Sequence, residues 1–150
     1  MSADTIIFTV WGVPVGKGRP RSYHRPGMKG IGHYTPAKTL SYESHVRAAY
    51  IEAVHGEVRP RTGPIELGIT ATFPIPKSRS KRWRERAAAP GKAVPHVITP
   101  DLDNILKAIS DGLNGVAFVD DKQICAVGAR KEYGSVPSVL VMVLERAEEG

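Results

Sequence analysis

The sequence predicts an α+β fold: a single small domain spanning residues 1–150, in which a mixed or antiparallel sheet is packed by two main helices. Its hydrophobic pattern alternates in four short segments, as in half-buried strands, and repeats at helical spacing in two others. The resulting order is strand, helix, strand, two helices and two strands, which lacks the regular alternation of a doubly wound fold. A chain of 150 residues with 41% hydrophobic content is long enough to bury one core.

The four predicted strands are rich in β-branched and aromatic residues. They span Thr5–Trp11, Ile65–Phe73, Gln123–Tyr133 and Ser138–Arg146, and the last two are joined by a turn at Gly134–Pro137. Cys125 alternates into the third strand and is expected to be a small buried apolar residue. The segment Gly12–Gly32 is rich in Gly, Pro and basic residues and predicts a long irregular loop. Four strands are few for one sheet to shield itself, which favours a dimer.

Two segments predict the main helices. Ser41–His55 places apolar residues at helical spacing, with Ser41 as the N-terminal cap and Gly56 as the stop signal. Leu102–Asn114 is the clearest helix, because one face collects its apolar side chains, Leu102, Ile105, Leu106, Ile109 and Leu113. A shorter helix is predicted around Arg79–Ala88.

The charge of the chain favours a polyanionic partner. Lys and Arg number 21 and Asp and Glu number 15, which gives a net charge of +6. Residues 1–100 hold 16 of the basic residues and 6 of the acidic ones, whereas residues 101–121 alone hold five acidic residues. Basic residues neutralise phosphates and release counterions, which is typical of nucleic-acid-binding proteins. A basic surface that is merely solvated explains the net charge equally well.

The composition excludes several classes of protein. The one cysteine excludes a disulfide framework and a cysteine-based zinc site. No apolar run reaches the length of a transmembrane helix, and the first residues lack the basic start and long apolar stretch of a signal peptide. The glycines between positions 12 and 32 do not form G-x-G-x-x-G between a strand and a helix, which excludes a dinucleotide site. We therefore expect a soluble cytoplasmic protein without a membrane partner or a small-molecule cofactor.

Aspartates at two places in the sequence form a candidate metal site. Asp101 and Asp103 lie at the mouth and in the first turn of the clearest helix, because Pro100 favours an irregular entry into it. Asp120 and Asp121 lie just before the third strand, where a turn can bring a carboxylate back to the helix start. The helix dipole stabilises ionised carboxylates at this end. Carboxylates without His or Cys neighbours suit Mg²⁺ or Mn²⁺ rather than Zn²⁺.

Lys107 lies one helical turn beyond Asp103 and can stabilise charge on phosphate oxygens or assist the leaving oxygen. Together with divalent cations, these residues suit in-line displacement at a phosphodiester. Structural alternatives exist for each residue. Asp101 can simply cap the helix, and Asp103 and Lys107 can form a surface ion pair of little energetic value. Asp120 and Asp121 can be turn residues.

Two basic segments are candidate DNA contacts. In the Gly- and Pro-rich loop, alternating basic residues share one face if the chain is extended, as a phosphate-tracking edge requires. The second segment, Lys77–Lys92, contains Trp83, which can stack on an unpaired base, cover an edge of the core or contact a second subunit. The candidate basic residues are Lys17, Arg19 and Arg21 in the loop, and Lys77, Arg79, Lys81, Arg82, Arg84 and Arg86 in the second segment.

Three strings of residues resemble the RusA family of Holliday junction resolvases, which are small dimeric endonucleases of bacteria and phages. The strings are Asp101-Leu-Asp103-Asn104-Ile-Leu-Lys107, Asp111-Gly-Leu-Asn114 and Val119-Asp120-Asp121-Lys-Gln123-Ile. They follow the family pattern D-L-D-N-x-x-K, then D-x-L, then an aspartate pair followed by x-Q and Ile or Val. The opening Gly16-Lys17-Gly18-Arg19-Pro20-Arg21, followed by Tyr34-Thr35-Pro36, is also similar, so the resemblance spans roughly residues 5–145.

The resemblance implies a Mg²⁺-dependent crossover junction endodeoxyribonuclease, with Mn²⁺ as a substitute, that cuts two opposed strands of a four-way DNA junction in recombination and repair. It also implies a homodimer, because two symmetric cuts need two active sites, and a bacterial or phage origin. The family's metal-binding aspartates map onto Asp101, Asp103 and Asp121, and its essential lysine maps onto Lys107. Asp121 is chosen because it lies two residues before Gln123.

Two other functions stay open at this point. One is a branched-DNA-binding protein without cleavage, which the presence of all four mapped residues argues against. The other is a nuclease with a broader range of substrates, including flaps, forks or RNA. The excess of basic residues argues against phosphoryl transfer on small molecules, because such substrates need only a few cations.

Overall fold

The computed structural model describes residues 4–147, which contain seven strands and three α-helices. The strands are β1 (Asp4–Trp11), β2 (Arg21–Tyr23), β3 (Gly32–Tyr34), β4 (Ile65–Pro74), β5 (Val94–Pro95), β6 (Ile124–Gly134) and β7 (Ser138–Glu145). The helices are α1 (Ala37–Ala53), α2 (Lys81–Ala88) and α3 (Leu102–Leu113), and a 3₁₀ turn at Asp121–Gln123 leads into β6.

Five of the strands form a mixed sheet in the order β1–β7–β4–β6–β5, which confirms the predicted α+β class. β4 and β6 are parallel, whereas the other neighbours in this sheet are antiparallel. Parallel neighbours require a long crossover connection, which α2, β5 and α3 supply here. The crossover carries both α3 and the 3₁₀ turn, and so it positions the two acidic segments.

Alternate residues are buried on one face of the sheet, beneath the helices, from Ile65 to Phe73 in β4 and from Val139 to Val143 in β7, and β1 buries Phe8 and Val10 on the same face. The register places Val141 of β7 between Phe8 of β1 and Ile69 of β4, so three strands contribute to one core. The alternate positions point to the opposite face, whose exposed apolar side chains include Ile7, Trp11 and Leu140. Apolar side chains grouped on one exposed sheet face are typical of an interaction surface.

α1 and α3 cross closely because Gly112 leaves no side chain between them. A Cβ at position 112 would lie 3.0 Å from both the Val46 Cβ and the Glu43 carbonyl oxygen, closer than most real contacts. The predicted apolar stripe of α3 faces the core, where it buries Ile105, Ile109 and Leu113 completely. The crossing brings Glu43 of α1 and Asp111 of α3 within reach of one lysine, Lys17.

Helix α1 begins and ends earlier than predicted. The prediction of Ser41–His55, capped by Ser41, is wrong at both ends, because the helix spans Ala37–Ala53 and begins after Pro36. The Pro36 carbonyl accepts the backbone N–H of Thr39 at 3.0 Å, and no side chain caps the helix. A backbone carbonyl can therefore start this helix without the polar residue that a sequence pattern relies on.

The predicted loop at Gly12–Gly32 is also partly structured, because β2 and β3 pair as an antiparallel hairpin. α2 begins at Lys81, where the Ser80 Oγ accepts the Trp83 N–H at 3.2 Å. Cys125 is exposed rather than buried, because β5 pairs only with the far end of β6 and leaves the near end at the edge of the sheet. Within residues 4–147, no helix combines the length and the apolar character needed to cross a bilayer.

Candidate active site

A small cavity beside α3 gathers three of the four predicted catalytic residues. It measures about 170 Å³ and is lined by Asp103, Lys107 and Asp121. α3 supplies the first two, one turn apart, and the 3₁₀ turn before β6 supplies the third. The remaining lining residues are Leu67, Leu106, Ser110, Ile124 and Val127. Among the described residues, the surface ion pair considered for Asp103 and Lys107 is not formed, because the lysine has other partners.

A chain of alternating charges connects this cavity to α1. The Lys107 Nζ lies 3.5 Å from the Asp121 Oδ2 and 3.2 Å from the Asp111 Oδ1. The Asp111 Oδ2 lies 2.8 Å from the Lys17 Nζ, which in turn lies 2.6 Å from the Glu43 Oε1. Hydrogen bonding and attraction from Asp111, supplemented by Asp121, raise the pKa of Lys107, so this side chain stays cationic. Asp111 is shared between two lysines and thereby fixes the position of Lys107.

The two adjacent aspartates of the 3₁₀ turn have different partners. The Asp120 carboxylate accepts the Lys122 backbone N–H at 2.9 Å, and the Asp120 N–H donates to the Gln123 Oε1 at 2.9 Å. The hydrogen bond from Lys122 lowers the pKa of Asp120. Asp121 instead lines the cavity and faces Lys107. Asp120 is therefore occupied in closing the turn, whereas the Asp121 carboxylate is directed to the cavity.

Asp101 stands apart from this cavity. It occupies the position before α3 with an extended backbone, but its side chain makes no capping hydrogen bond. It is exposed and does not line the cavity. Within residues 4–147, no group of three or more Asp, Glu, His or Cys side chains is close enough to hold a metal ion. The structure thus brings Asp103 and Asp121 together and leaves Asp101 outside the pair.

Comparison with known proteins identifies the family of the chain. A family model described as Endodeoxyribonuclease RusA matches residues 12–144, which is nearly the whole chain. The chain belongs to the RusA family. It is also similar to the Uncharacterized protein YqaN of Bacillus subtilis (strain 168), with 33% identity over 142 residues that cover 95% of this chain and 97% of that protein. The resemblance stated from the motifs is therefore confirmed, and the family is one of endodeoxyribonucleases.

Gln123, a residue of the RusA pattern, has a structural role that the sequence did not reveal. Its Nε2 donates to the carbonyl oxygens of Arg61 at 2.9 Å and Gly63 at 3.0 Å, while its Oε1 accepts the Asp120 N–H. These bonds tie the turn that carries Asp121 to the loop before β4. Gln123 belongs to the sequence pattern of the family, but the pattern does not show what the side chain contacts. Its contacts follow from the pairing of β4 with β6, which brings the turn before β6 next to the loop before β4.

We expect Gln123→Met to lower the free energy of unfolding by about 2 kcal/mol, because three hydrogen bonds to backbone groups are lost. Urea denaturation followed by circular dichroism measures this change. Lys122→Met, at the neighbouring exposed position, is the matched control and should cost less than about 0.5 kcal/mol. A Gln123→Met protein as stable as this control would show that the turn does not depend on the glutamine.

Lys17 differs from the other predicted DNA contacts because it is engaged within the RusA fold. Its side chain is 23% exposed. Burial lowers the pKa of Lys17, but Asp111 and Glu43 outweigh this effect and raise it overall. The Lys17 backbone N–H also donates to the Asn104 carbonyl oxygen at 2.9 Å, which anchors the loop on α3. The other predicted contacts are exposed: Arg19, Arg21, Lys77, Arg79, Lys81, Arg82, Arg84 and Arg86.

Trp83 packs at an edge of the core. Its ring meets Tyr133 edge to face, with a centroid separation of 5.3 Å, and the Arg79 guanidinium lies 4.7 Å from the indole centroid. The side chain is half-buried against the core. Of the alternatives considered for Trp83, the structure shows the packing role. The basic side chains of α2 are thereby held on a fixed, exposed face.

Proposed function

We propose that this RusA-family chain is a Mg²⁺-dependent, structure-selective endodeoxyribonuclease that resolves four-way DNA junctions by paired symmetric nicks, in recombination and repair. The observation that carries the proposal is the cavity in which Asp103, Asp121 and Lys107 meet. Two carboxylates and a cation in one site suit phosphodiester cleavage, in which negative charge must be held and stabilised. We propose the cytoplasm as the compartment, because bacterial and phage DNA recombine there.

The donor atoms of the site suit a hard cation. Asp103 and Asp121 line the cavity, and neither His nor Cys is present in the lining. Asp101 is exposed at the start of α3, with no capping hydrogen bond to occupy its oxygens. We infer that Asp103 and Asp121 would hold Mg²⁺, that Asp101, which lies outside the cavity, would have to turn toward the cation to act as the third carboxylate, and that Mn²⁺ would substitute. When bound, the cation supplies Lewis-acid activation of the phosphodiester.

Lys107 contributes a fixed positive charge. Its ammonium group lies between Asp121 in the cavity and Asp111 outside it. Because its pKa is raised, it stays protonated throughout the pH range in which DNA is stable as a duplex. We infer that it stabilises charge on the phosphate oxygens or on the leaving oxygen.

The proposed active form is a homodimer. Two symmetric nicks in one junction require two active sites, and each chain contains one such cavity among its described residues. The exposed sheet face with Ile7, Trp11 and Leu140 supports association of two copies, because apolar side chains gain free energy when removed from water. Sedimentation velocity at micromolar concentration measures the oligomeric state.

Cleavage of a synthetic four-way junction in Mg²⁺ tests the proposed function, with a linear duplex of the same sequence as the control. We expect paired nicks at symmetric positions on the junction alone. Tight junction binding without nicking in Mg²⁺ or Mn²⁺ would instead indicate a branched-DNA-binding protein. Equal cleavage of flaps, forks and junctions would indicate a nuclease with broader substrates.

Junction binding should weaken steeply with salt, because eight of the predicted contacts are exposed cations. Between 50 and 200 mM salt we expect a loss of about 1,000-fold in affinity, as for proteins with many phosphate contacts. Arg84→Gln on α2 should reduce the logarithmic salt slope by about one unit, because one phosphate contact is lost. A slope unchanged in Arg84→Gln and shallow in the wild-type protein would show that α2 does not touch DNA.

A further inference from the structure

A second and larger cavity is lined by the loop that Lys17 anchors. It measures about 680 Å³, within the range of small-molecule sites. Its charged lining residues are all basic, and no Asp or Glu contributes to it. They are Lys17, Arg21 and Lys38. The cavity is therefore suited to an anion that also carries an apolar or aromatic part.

The walls of this cavity are apolar and fixed by backbone contacts. Gly16 lies so close to the segment before α3 that a Cβ there would be 2.8 Å from the Pro100 Cβ. Lys131 Nζ donates to the carbonyl oxygens of Ile98 at 2.5 Å and Pro100 at 2.8 Å, which holds the segment before α3 in place. The wall is thus ordered before any ligand arrives, and binding does not have to order it.

Three rings form the floor of the cavity. His96 stacks on Phe73 with a centroid separation of 3.8 Å and meets Tyr133 at 4.9 Å. All three rings are buried and line the cavity. Burial, with the nearby Lys131, lowers the pKa of His96, so the floor is neutral at physiological pH. Planar, uncharged rings and apolar walls are the surroundings that nucleobases prefer in proteins.

The cavity shares a wall with the segment that carries the acids. Pro100 and Asn104 line it, and they flank Asp101 and Asp103 in the sequence. A ligand in this cavity therefore lies directly beside the start of α3. In a DNA substrate, the group beside a cleaved phosphate is a neighbouring nucleotide, and a base that has already lost its pairing partner or stacking neighbour costs the least to extrude.

We propose that this cavity is a nucleotide subsite, which takes one unstacked nucleotide of branched DNA with its base between Ile98 and the ring floor and its phosphate on Arg21 and Lys38. The proposal rests on the proposed function, since it assigns part of the substrate of the same site. It gives the nuclease a physical means of preferring a branch over a duplex, because a paired and stacked base cannot enter. Lys38 thereby joins the predicted DNA contacts.

An abasic scan tests the subsite without requiring cleavage. Four-way junctions with a single abasic residue at successive positions around the branch are bound in EDTA, so that affinity alone is measured. We expect one position at which loss of the base weakens binding by roughly 5- to 150-fold, the range for one stacked base. Ile98→Ala should weaken binding to the intact junction several-fold and have less than about a twofold effect on that abasic junction.

Val97→Ala is the matched control, because Val97 is the neighbouring residue, is 82% exposed against 61% for Ile98, and does not line the cavity. It should leave both affinities unchanged. Lys38→Gln should lower the salt slope by about one unit, whereas Lys29→Gln, exposed and outside the cavity, should not.

Either of two results would overturn the subsite. In the first, the junction is bound and nicked, yet no abasic position couples to Ile98→Ala, so the proposed function survives and the subsite fails. In the second, Ile98→Ala and Val97→Ala have the same affinity for every junction, which would show that Ile98 makes no specific contact with the DNA. Absence of junction binding by the wild-type protein would overturn the proposed function together with the subsite.

Discussion

Asp103→Asn will abolish junction cleavage while leaving junction binding intact. The carboxylate lies in the cavity with Asp121 and Lys107, and the substitution keeps its size but removes its charge. Losing one carboxylate ligand of the proposed cation should slow cleavage by at least about 1,000-fold. Binding should stay equal or become tighter, because one negative charge near the DNA phosphates is removed. Single-turnover cleavage in Mg²⁺ and gel-shift affinity in EDTA measure the two effects separately.

The aspartate pair provides a sharp control for this experiment. Asp121→Asn should match Asp103→Asn, since both carboxylates line the cavity. Asp120→Asn should keep most of the activity, because this side chain accepts the Lys122 N–H and an asparagine oxygen can do the same. If Asp120→Asn were inactive and Asp121→Asn active, the assignment of these neighbours would have to be reversed. Normal cleavage by Asp103→Asn would remove the metal site from the proposal.

Lys107→Met should slow cleavage by about 100- to 1,000-fold, the usual cost of removing one group that stabilises developing charge. The methionine preserves the length of the side chain and the packing along α3, so the loss reports the missing ammonium group. Affinity for the junction should fall little, because the other basic residues remain. Single-turnover rates at saturating protein, with thermal unfolding as a check on the fold, provide the measurement.

Two further variants decide how Lys107 acts. Lys122→Met removes a lysine next to Asp121 that does not line the cavity, and it should cleave at the normal rate. Lys107→Arg keeps a permanent positive charge but is a poor proton donor. Recovery of activity in Lys107→Arg would support charge stabilisation, and inactivity would support proton transfer to the leaving oxygen. Equal rates for Lys107→Met and Lys122→Met would exclude any role in cleavage.

The helices and strands that can be predicted from the sequence are those that bury one face, because their apolar residues then recur at regular spacing. α3 is an example, because its apolar stripe both defines the helix and packs on the core, as do the alternating strands β4 and β7. The hairpin of β2 and β3 gives no sequence signal because it buries no apolar face, and the start of α1 gives none because the helix begins after Pro36 without a polar cap. The parallel pairing of β4 with β6 was also hidden, since it depends on contacts across the crossover.

The candidate site likewise combines features that a local sequence pattern predicts with features that only the tertiary structure shows. The spacing of Asp103 and Lys107 on one helix is readable from the sequence, whereas their meeting with Asp121 depends on where β6 joins the sheet. The ion pairs of Lys17 with Asp111 and Glu43 join three distant segments, and no local pattern marks Glu43. Lys17 is recognisable from the sequence only as a basic loop residue, whereas the structure shows which carboxylates its charge contacts.

The internal position of β7 in the sheet affects the order in which this chain can fold. Among residues 4–147, β7 is the last strand in the sequence, yet it lies between β1 and β4 and hydrogen-bonds to both. During synthesis, the earlier strands leave the ribosome without the neighbour that joins them. The sheet is complete only when Ser138–Glu145 has been translated and inserted, because β1 joins the other strands through β7 alone. We therefore expect a chain truncated before Ser138 to lose nuclease activity through misfolding, because β1 then has no neighbour in the sheet.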